Sequence, residues 1–215
     1  MEQYTEDIQA YEDEEALTEE RIARVIDGLY NHPRHRELLY KTLDVCREGK
    51  RFEQAEAFIE AQPEYAQALQ TPYALVRSLV EAGGLVAERR TAEGNVLTDN
   101  EDNVPGSYRT VRTTPAGRAA VELLAPERRI AARVNAVPER HDTFAAVLAF
   151  CQEPRSLDEI KHLLADDPAL KPSARTAGQP LHAVYFIDRL HEAGGLVWNH
   201  AWVTTDAGKR FLASV

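Results

Sequence analysis

Glu81-Ala82-Gly83-Gly84-Leu85-Val86 and Glu192-Ala193-Gly194-Gly195-Leu196-Val197 share one six-residue sequence, EAGGLV, within a chain of 215 residues. In both places, apolar residues at helical spacing precede the Gly-Gly pair and further apolar residues follow it. Because glycine readily adopts the left-handed conformation that ends a helix, each stretch predicts a helix that stops and continues as a strand. Two such events in matching surroundings indicate that the chain contains two copies of one small unit.

Two further pairs of segments support the duplication. Leu43-Asp44-Val45-Cys46 corresponds to Leu148-Ala149-Phe150-Cys151, and Thr113-Thr114-Pro115-Ala116-Gly117-Arg118 corresponds to Thr204-Thr205-Asp206-Ala207-Gly208-Lys209. The spacing between matching segments varies, as expected when the connecting loops differ in length. The copies therefore share an order of structural elements, with drift in the loops.

The predicted elements follow the same order in both copies. In the first copy, the predicted helices are 34–48, 52–61, 71–83 and 114–124, and the predicted strands are Leu85–Arg90 and Tyr108–Arg112. In the second copy, the predicted helices are 142–152, 156–164 and 180–194, followed by strands 196–198 and 201–203 and a last helix capped by Thr205. Thr71 before Pro72 is typical of a helix start, and Ser156 with Glu159 forms a capping box.

Three segments lie outside the copies, which occupy residues 34–124 and 139–215. Residues 1–17 form an acidic tail, residues 18–33 an N-terminal helix capped by Thr18, and residues 125–138 a basic amphipathic helix. We interpret the last segment as a linker, with Ile130 and Val134 packed between the domains or with its arginines extending a basic strip. The predicted fold class is mostly α with small β-hairpins.

Three helices, a two-stranded hairpin and a helix capped by Thr-x-x-Gly form an order that resembles the winged-helix variant of helix-turn-helix. The residues that carry the resemblance are the two EAGGLV stretches and the hairpin exits at Thr114-Pro115-Ala116-Gly117-Arg118 and Thr205-Asp206-Ala207-Gly208-Lys209. The resemblance covers both copies and implies tandem winged-helix domains, a fold common among bacterial regulators. It implies a third helix in the DNA major groove and a hairpin, or wing, on the phosphates.

The first copy supplies residues that suit such a DNA contact. Arginine binds phosphates and guanine edges, and hydroxyl groups bind phosphates. Residues of these types lie on the predicted third helix and along the wing: Tyr73, Arg77, Ser78, Arg89, Arg90, Arg109 and Arg112. Acids at the wing tip oppose the contact (Glu93, Asp99, Glu101 and Asp102), and an ordinary solvated helix face has a similar composition.

The second copy has no Lys or Arg in its wing, which carries two tryptophans instead. Tryptophan is enriched at protein interfaces, although the same residues also suit a core or a contact between domains. We therefore predict a partner-binding surface from the wing and the helix before it: His182, Arg189, Trp198, His200 and Trp202.

The formal net charge of −10 is concentrated at the N-terminus. Residues 1–20 contain nine acids and no Lys or Arg, so the rest of the chain is nearly neutral. Such a segment is typical of a disordered, solubilising tail. The alternative interpretation is an arm that covers a basic surface or binds a basic partner.

Several classes of protein are not indicated. The sequence has no run of about 18 apolar residues that would cross a membrane, and its acidic N-terminus is unlike a secretory signal. Cys46 and Cys151 are too few for a disulfide scaffold and suit buried thiols in a cytoplasmic protein. No phosphate-binding glycine loop is present, the 99–103 stretch lacks the glycine and final acid of a calcium loop, and the nine-residue spacing of His182, His191 and His200 does not suit zinc.

The sequence thus predicts a cytoplasmic, non-enzymatic regulator that binds double-stranded DNA and needs no metal or cofactor. The alternative is an adaptor that uses both winged-helix domains to dock proteins. A small-molecule pocket between the domains and a homodimer through the N-terminal helix are further possibilities, for which no residue provides specific evidence.

Overall fold

The structure is a computed structural model of the 215-residue chain and describes residues 19–97 and 104–214. These residues are mostly helical and contain two small antiparallel sheets, which confirms the predicted mixture of helices and small hairpins. The chain divides into two compact units, Met1–Leu123 and Leu124–Val215. The predicted cap at Thr18 and the 99–103 stretch, with the wing-tip acids Asp99, Glu101 and Asp102, lie outside the described residues.

The first unit contains a hairpin that is extended by a third, very short strand. Its helices are α1 (Glu19–Tyr30), α2 (Arg36–Val45), α3 (Phe52–Glu60), α4 (Pro72–Glu81) and α5 (Pro115–Leu123). Its strands are β1 (Lys50–Arg51), β2 (Leu85–Arg90) and β3 (Tyr108–Thr113), in the sheet order β1-β3-β2. Strand β1 was not predicted, because a pair of residues is too short to show an alternating pattern.

The second unit repeats this order with shorter strands. Its helices are α6 (Pro126–Asn135), α7 (His141–Phe150), α8 (Leu157–Leu163), α9 (Ala183–Ala193) and α10 (Asp206–Leu212). Its strands β4 (Leu196–Trp198) and β5 (Trp202–Thr204) form the second sheet, and an isolated bridge between Arg155 and Trp202 takes the place of β1. Helix α9 begins at Ala183 rather than at Pro180, because His182 is extended and stands at the N-cap.

Matching threonines hold both hairpins to the helices around them. The hydroxyl of Thr113 donates to the carbonyl of Leu43 at 2.5 Å, and that of Thr204 donates to the carbonyl of Leu148 at 2.6 Å. The closing helix then approaches so closely that a Cβ on Gly208 would lie 2.6 Å from the carbonyl oxygen of Gly195. A Cβ on Gly117 would likewise overlap the carbonyl oxygen of Gly84, so both copies require glycine at this contact.

Helix α6 belongs to the second unit, whereas the sequence predicted that this segment links the two domains. Ile130 and Val134 are fully buried in the core of that unit, together with residues of α7, α9 and α10. They lie four positions apart, so they form one stripe of the helix. In the first unit Val25 of α1 lies against Gly84 as Ile130 lies against Gly195, so each copy begins with a helix of this kind.

The helix ends follow the sequence signals. Thr71 accepts a hydrogen bond from the Ala74 amide at the start of α4, and Ser156 with Glu159 forms the predicted capping box of α8. Gly83 and Gly194 adopt positive φ angles of 77° and 83° where α4 and α9 end. Within residues 19–97 and 104–214, no helix has the length and apolar composition needed to cross a membrane.

Candidate functional site

A cleft of about 320 Å³ lies in the first unit between α4 and the β2–β3 hairpin. The cleft is lined by both apolar and charged residues. They are Phe52, Tyr73, Arg77, Val80, Glu81, Ala87, Glu88, Arg89 and Arg109. The cleft brings together four of the predicted DNA-contact residues, namely Tyr73, Arg77, Arg89 and Arg109. A cleft of this size and composition is suited to binding an anionic group beside an apolar one.

The pairing of the hairpin brings two of these arginines side by side. Arg89 on β2 lies directly opposite Arg109 on β3. Alternate residues of a strand share a face, so both arginines lie on the same face as the buried Val111, which is turned toward α4. Like charges directly opposite each other are unfavourable in a sheet, and a bound anion would reduce that repulsion.

Helix α4 supplies the opposite wall. Arg77 forms an ion pair with Glu81 one turn later, with 2.6 Å between the guanidinium and the carboxylate. The hydrogen bond to Glu81 raises the pKa of Arg77, so this side chain is a permanent cation at the edge of the cleft. The ring of Tyr73 packs against Phe52 with 5.4 Å between the ring centroids, and Tyr73 remains 43% exposed.

Three other predicted contact residues do not join the cleft. Arg90 lies on the other face of β2, where it donates to the Glu88 carboxylate at 2.5 Å and to the Gly94 carbonyl at 2.8 Å. It therefore stabilises the hairpin. Ser78 donates to the carbonyl of Leu75 within α4, and Arg112 is exposed on the hairpin face turned away from α4.

Arg51 adds a basic residue to the hairpin sheet that no pattern in the sequence indicated. It pairs with Thr110 through β1, and its guanidinium lies 4.3 Å from the centroid of the Tyr108 ring. Arg51 thus shares the outer face of the sheet with Arg112. Its position depends on the short strand β1, which no local pattern marks.

The second hairpin carries a cluster of aromatic rings. Trp198 and Trp202 lie opposite each other with 5.3 Å between ring centroids, and the His191 ring lies 5.5 Å from Trp202. Trp202 packs against the core, whereas Trp198 is 36% exposed. His200 lies at the hairpin turn with a positive φ of 58°.

The remaining predicted partner-binding residues have local roles in α9. Arg189 forms an ion pair with Glu192 at 2.9 Å and lies over the Tyr185 ring, and the hydrogen bond to Glu192 raises its pKa. His182 is the N-cap residue of the same helix.

The two thiols are buried and unreactive in character. Cys46 and Cys151 are fully buried at equivalent helix ends, as predicted. Burial raises the pKa of each thiol to about 11, which keeps both protonated at neutral pH. Among the described residues, no group of three or more His, Cys, Asp or Glu side chains is placed to hold a metal ion.

Comparisons with protein-family models, with curated proteins and with solved structures gave no match to this chain.

Proposed function

We propose that this protein is a non-enzymatic, tandem winged-helix protein that binds double-stranded DNA, with the first unit making the main contact. The observation that carries the proposal is the convergence of Arg77, Arg89 and Arg109 on the cleft between α4 and the hairpin. In a winged-helix domain these are the two elements that meet DNA. The order of helices and hairpin in both units supports the same assignment.

The cleft arginines divide into two kinds of contact. Arg89 and Arg109 lie directly opposite each other on one face of the hairpin, an arrangement that suits two phosphate oxygens on one DNA strand. Arg77 is on α4, the helix that would enter the groove, but it must exchange its Glu81 partner for DNA. We assign phosphate binding to Arg89 and Arg109 because they lie opposite each other on the hairpin, the element that meets phosphates.

The test is the binding of the full chain to pooled genomic duplex fragments, measured by fluorescence anisotropy at two salt concentrations. The Arg89→Glu/Arg109→Glu variant should lose at least roughly tenfold in affinity, and the slope of log affinity against log salt should fall by about two, one for each lost phosphate contact. Circular dichroism would verify that the variant is folded.

A matched control reverses two charges elsewhere. Lys171 and Arg175 are exposed in the second unit, away from both hairpins in the sequence. The Lys171→Glu/Arg175→Glu variant changes the net charge by the same amount and should retain wild-type affinity. Equal losses in both variants would show that only the overall charge matters, and an unaffected hairpin variant would contradict the assigned contact.

The second candidate function is a protein-docking adaptor, which the surface of the second unit favours. Val184 at the start of α9 is 42% exposed, and Trp198 is 36% exposed on the hairpin. Large, partly exposed apolar side chains of this kind are typical of protein interfaces. Absence of DNA binding by the wild-type chain at low salt would favour this function over the first.

A further inference from the structure

The two units allow a residue-by-residue comparison of their helix–hairpin spaces. The shared EAGGLV stretch aligns Ala87 of β2 with Trp198 of β4. Leu85 pairs with Thr113 as Leu196 pairs with Thr204, so Val111 of β3 corresponds to Trp202 of β5. By the same alignment, Val80 of α4 corresponds to His191 of α9.

In the second unit, aromatic rings of the hairpin itself occupy the space between the hairpin and helix α9. Trp198 packs edge-to-face against Trp202, and Trp202 packs edge-to-face against His191 on the helix. In the first unit the smaller side chains of Ala87 and Val80 line the cleft of about 320 Å³, and Val111 of the hairpin is fully buried. The same scaffold therefore accommodates aromatic rings in one copy and has room for an added ring in the other.

The residues at the edge of the cleft indicate which chemical groups should flank an aromatic ring bound there. Tyr73 and Phe52 form an aromatic wall at one side, and Arg89 and Arg109 lie side by side at another. Aromatic rings pack favourably against each other, and guanidinium groups bind carboxylates in pairs of hydrogen bonds. The complementary ligand is an aromatic side chain flanked by acids.

The sequence before the described residues contains such a segment. The sequence Tyr11-Glu12-Asp13-Glu14-Glu15 places a phenol ring beside four consecutive carboxylates. It precedes α1, and α1 crosses the end of α4 so closely that a Cβ on Gly28 would lie 2.8 Å from the Cβ of Ala82. Ala82 directly follows Glu81, which lines the cleft.

The length of chain before α1 is sufficient to reach the cleft. Along a helix, Glu19 lies roughly 14 Å from Gly28, the residue at which α1 crosses α4. An extended chain from Tyr11 to Glu19 spans up to roughly 26 Å. The connection thus covers the distance along α1 and leaves about 12 Å for entry into the cleft.

We propose that the acidic N-terminal segment docks into the first-unit cleft, with the Tyr11 ring above Ala87 and beside Tyr73, and with the acids at positions 12–15 against Arg89 and Arg109. A tethered ligand has a high effective concentration, so weak contacts are enough for occupancy. The docked segment covers the arginines that the proposed function assigns to phosphates. It therefore inhibits DNA binding, a consequence that depends on the proposed function, whereas the docking itself does not.

The experiment traps the docked segment in the full chain without DNA. A variant with Ala10→Cys and Ala87→Cys carries one thiol beside Tyr11 and one in the cleft. The matched control carries Ala10→Cys and Arg112→Cys, which places the second thiol on the same hairpin but on its opposite, exposed face. The native thiols are buried and do not compete.

Under mild oxidation at dilute protein concentration, we expect the cleft pair to form its disulfide within one chain at least roughly tenfold faster than the control pair. Adding Tyr11→Ala should reduce the faster rate to that of the control. Equal rates for the two pairs, or a fast rate that does not depend on Tyr11, would overturn the proposal.

Two outcomes separate this inference from the proposed function. Preferential trapping in a chain that does not bind DNA would support docking and contradict DNA binding. Salt-dependent DNA binding with equal trapping rates would support the proposed function and contradict docking. If both hold, an added duplex should slow the trapping, and the Tyr11→Ala variant should bind the duplex more tightly than the wild-type chain does.

Discussion

At the scale of residues, His35 shows how burial fixes a protonation state. Its Nε2 accepts a hydrogen bond from the Leu69 amide at 3.0 Å, and its buried Nδ1 has no hydrogen-bond partner among the described residues. The bond requires a neutral ring, since protonation would place a hydrogen on the acceptor nitrogen. Burial lowers the pKa of His35, and the charges of His32 and Arg34 lower it further.

This lowered pKa predicts acid sensitivity. As the pH falls, the unfolded chain takes up a proton that folded His35 does not, so the stability is fully present above the ordinary pKa of 6.5 and is lost as the pH decreases below it. Urea unfolding followed by circular dichroism should show a lower midpoint at about pH 5.5 than at about pH 7.5. His35→Gln should flatten this dependence. The exposed His162→Gln should retain it, and a wild-type slope in His35→Gln would contradict the role of His35.

At the scale of elements, one threonine in each copy joins the end of a helix to the start of another. Thr205 donates to the Gly194 carbonyl at the end of α9 and accepts from the Gly208 amide in α10. Thr114 forms the corresponding bonds to Gly83 and Gly117. Each hydroxyl therefore satisfies backbone groups that two helix ends would otherwise leave unpaired.

Removal of this hydroxyl should destabilise the second unit. We expect Thr205→Ala to lower the free energy of unfolding by about 1–2 kcal/mol, the usual cost of a lost N-cap, with the freed Gly194 carbonyl adding to it. Thr205→Ser keeps the hydroxyl and should recover most of the loss. Urea unfolding would measure both variants, and similar losses in the two would assign the effect to the methyl group instead.

The elements also show what the sequence could predict. Gly83, Gly194 and Thr205 act through local backbone conformation, so their pattern predicted the helix ends and hairpins correctly. The β1 strand and the Arg155–Trp202 bridge depend on pairing with residues distant in the chain, which no local pattern records. The division of the wing arginines between the cleft and the outer face follows from strand register. The sequence therefore predicted Arg89 and Arg109 as DNA contacts, but it did not separate them from Arg90 and Arg112, which lie on the other face.

At the scale of the whole molecule, the second unit extends further toward the N-terminus than the sequence repeat. Its core includes α6 through Ile130 and Val134, and the first unit contains the equivalent α1. The repeated structure is thus larger than the portion that carries the recognisable sequence matches. Core positions tolerate exchange among Val, Ile and Leu, so Val25 and Ile130 keep the packing without keeping the sequence.

This assignment of α6 has a measurable consequence. Ile130→Ala should cost about 2–5 kcal/mol, because it removes a fully buried side chain from a packed core. Hydrogen exchange followed by mass spectrometry should show faster exchange in α7, α9 and α10. The matched Val25→Ala variant should instead accelerate exchange in α2 and α5. If α6 were only a spacer, Ile130→Ala would leave exchange in α7 and α9 unchanged.

The paired indoles of the second hairpin make the tryptophan signals of the protein specific to its second unit. The sequence contains only two tryptophans, and both lie in this hairpin with ring centroids 5.3 Å apart. Electronic transitions at that separation couple, so the coupled indole contribution to the near-ultraviolet dichroism and the tryptophan emission both arise from the second unit. In the near-ultraviolet the first unit absorbs mainly through its tyrosines, because it contains no tryptophan. Melting curves recorded by tryptophan emission and by far-ultraviolet dichroism thus follow different parts of the same molecule.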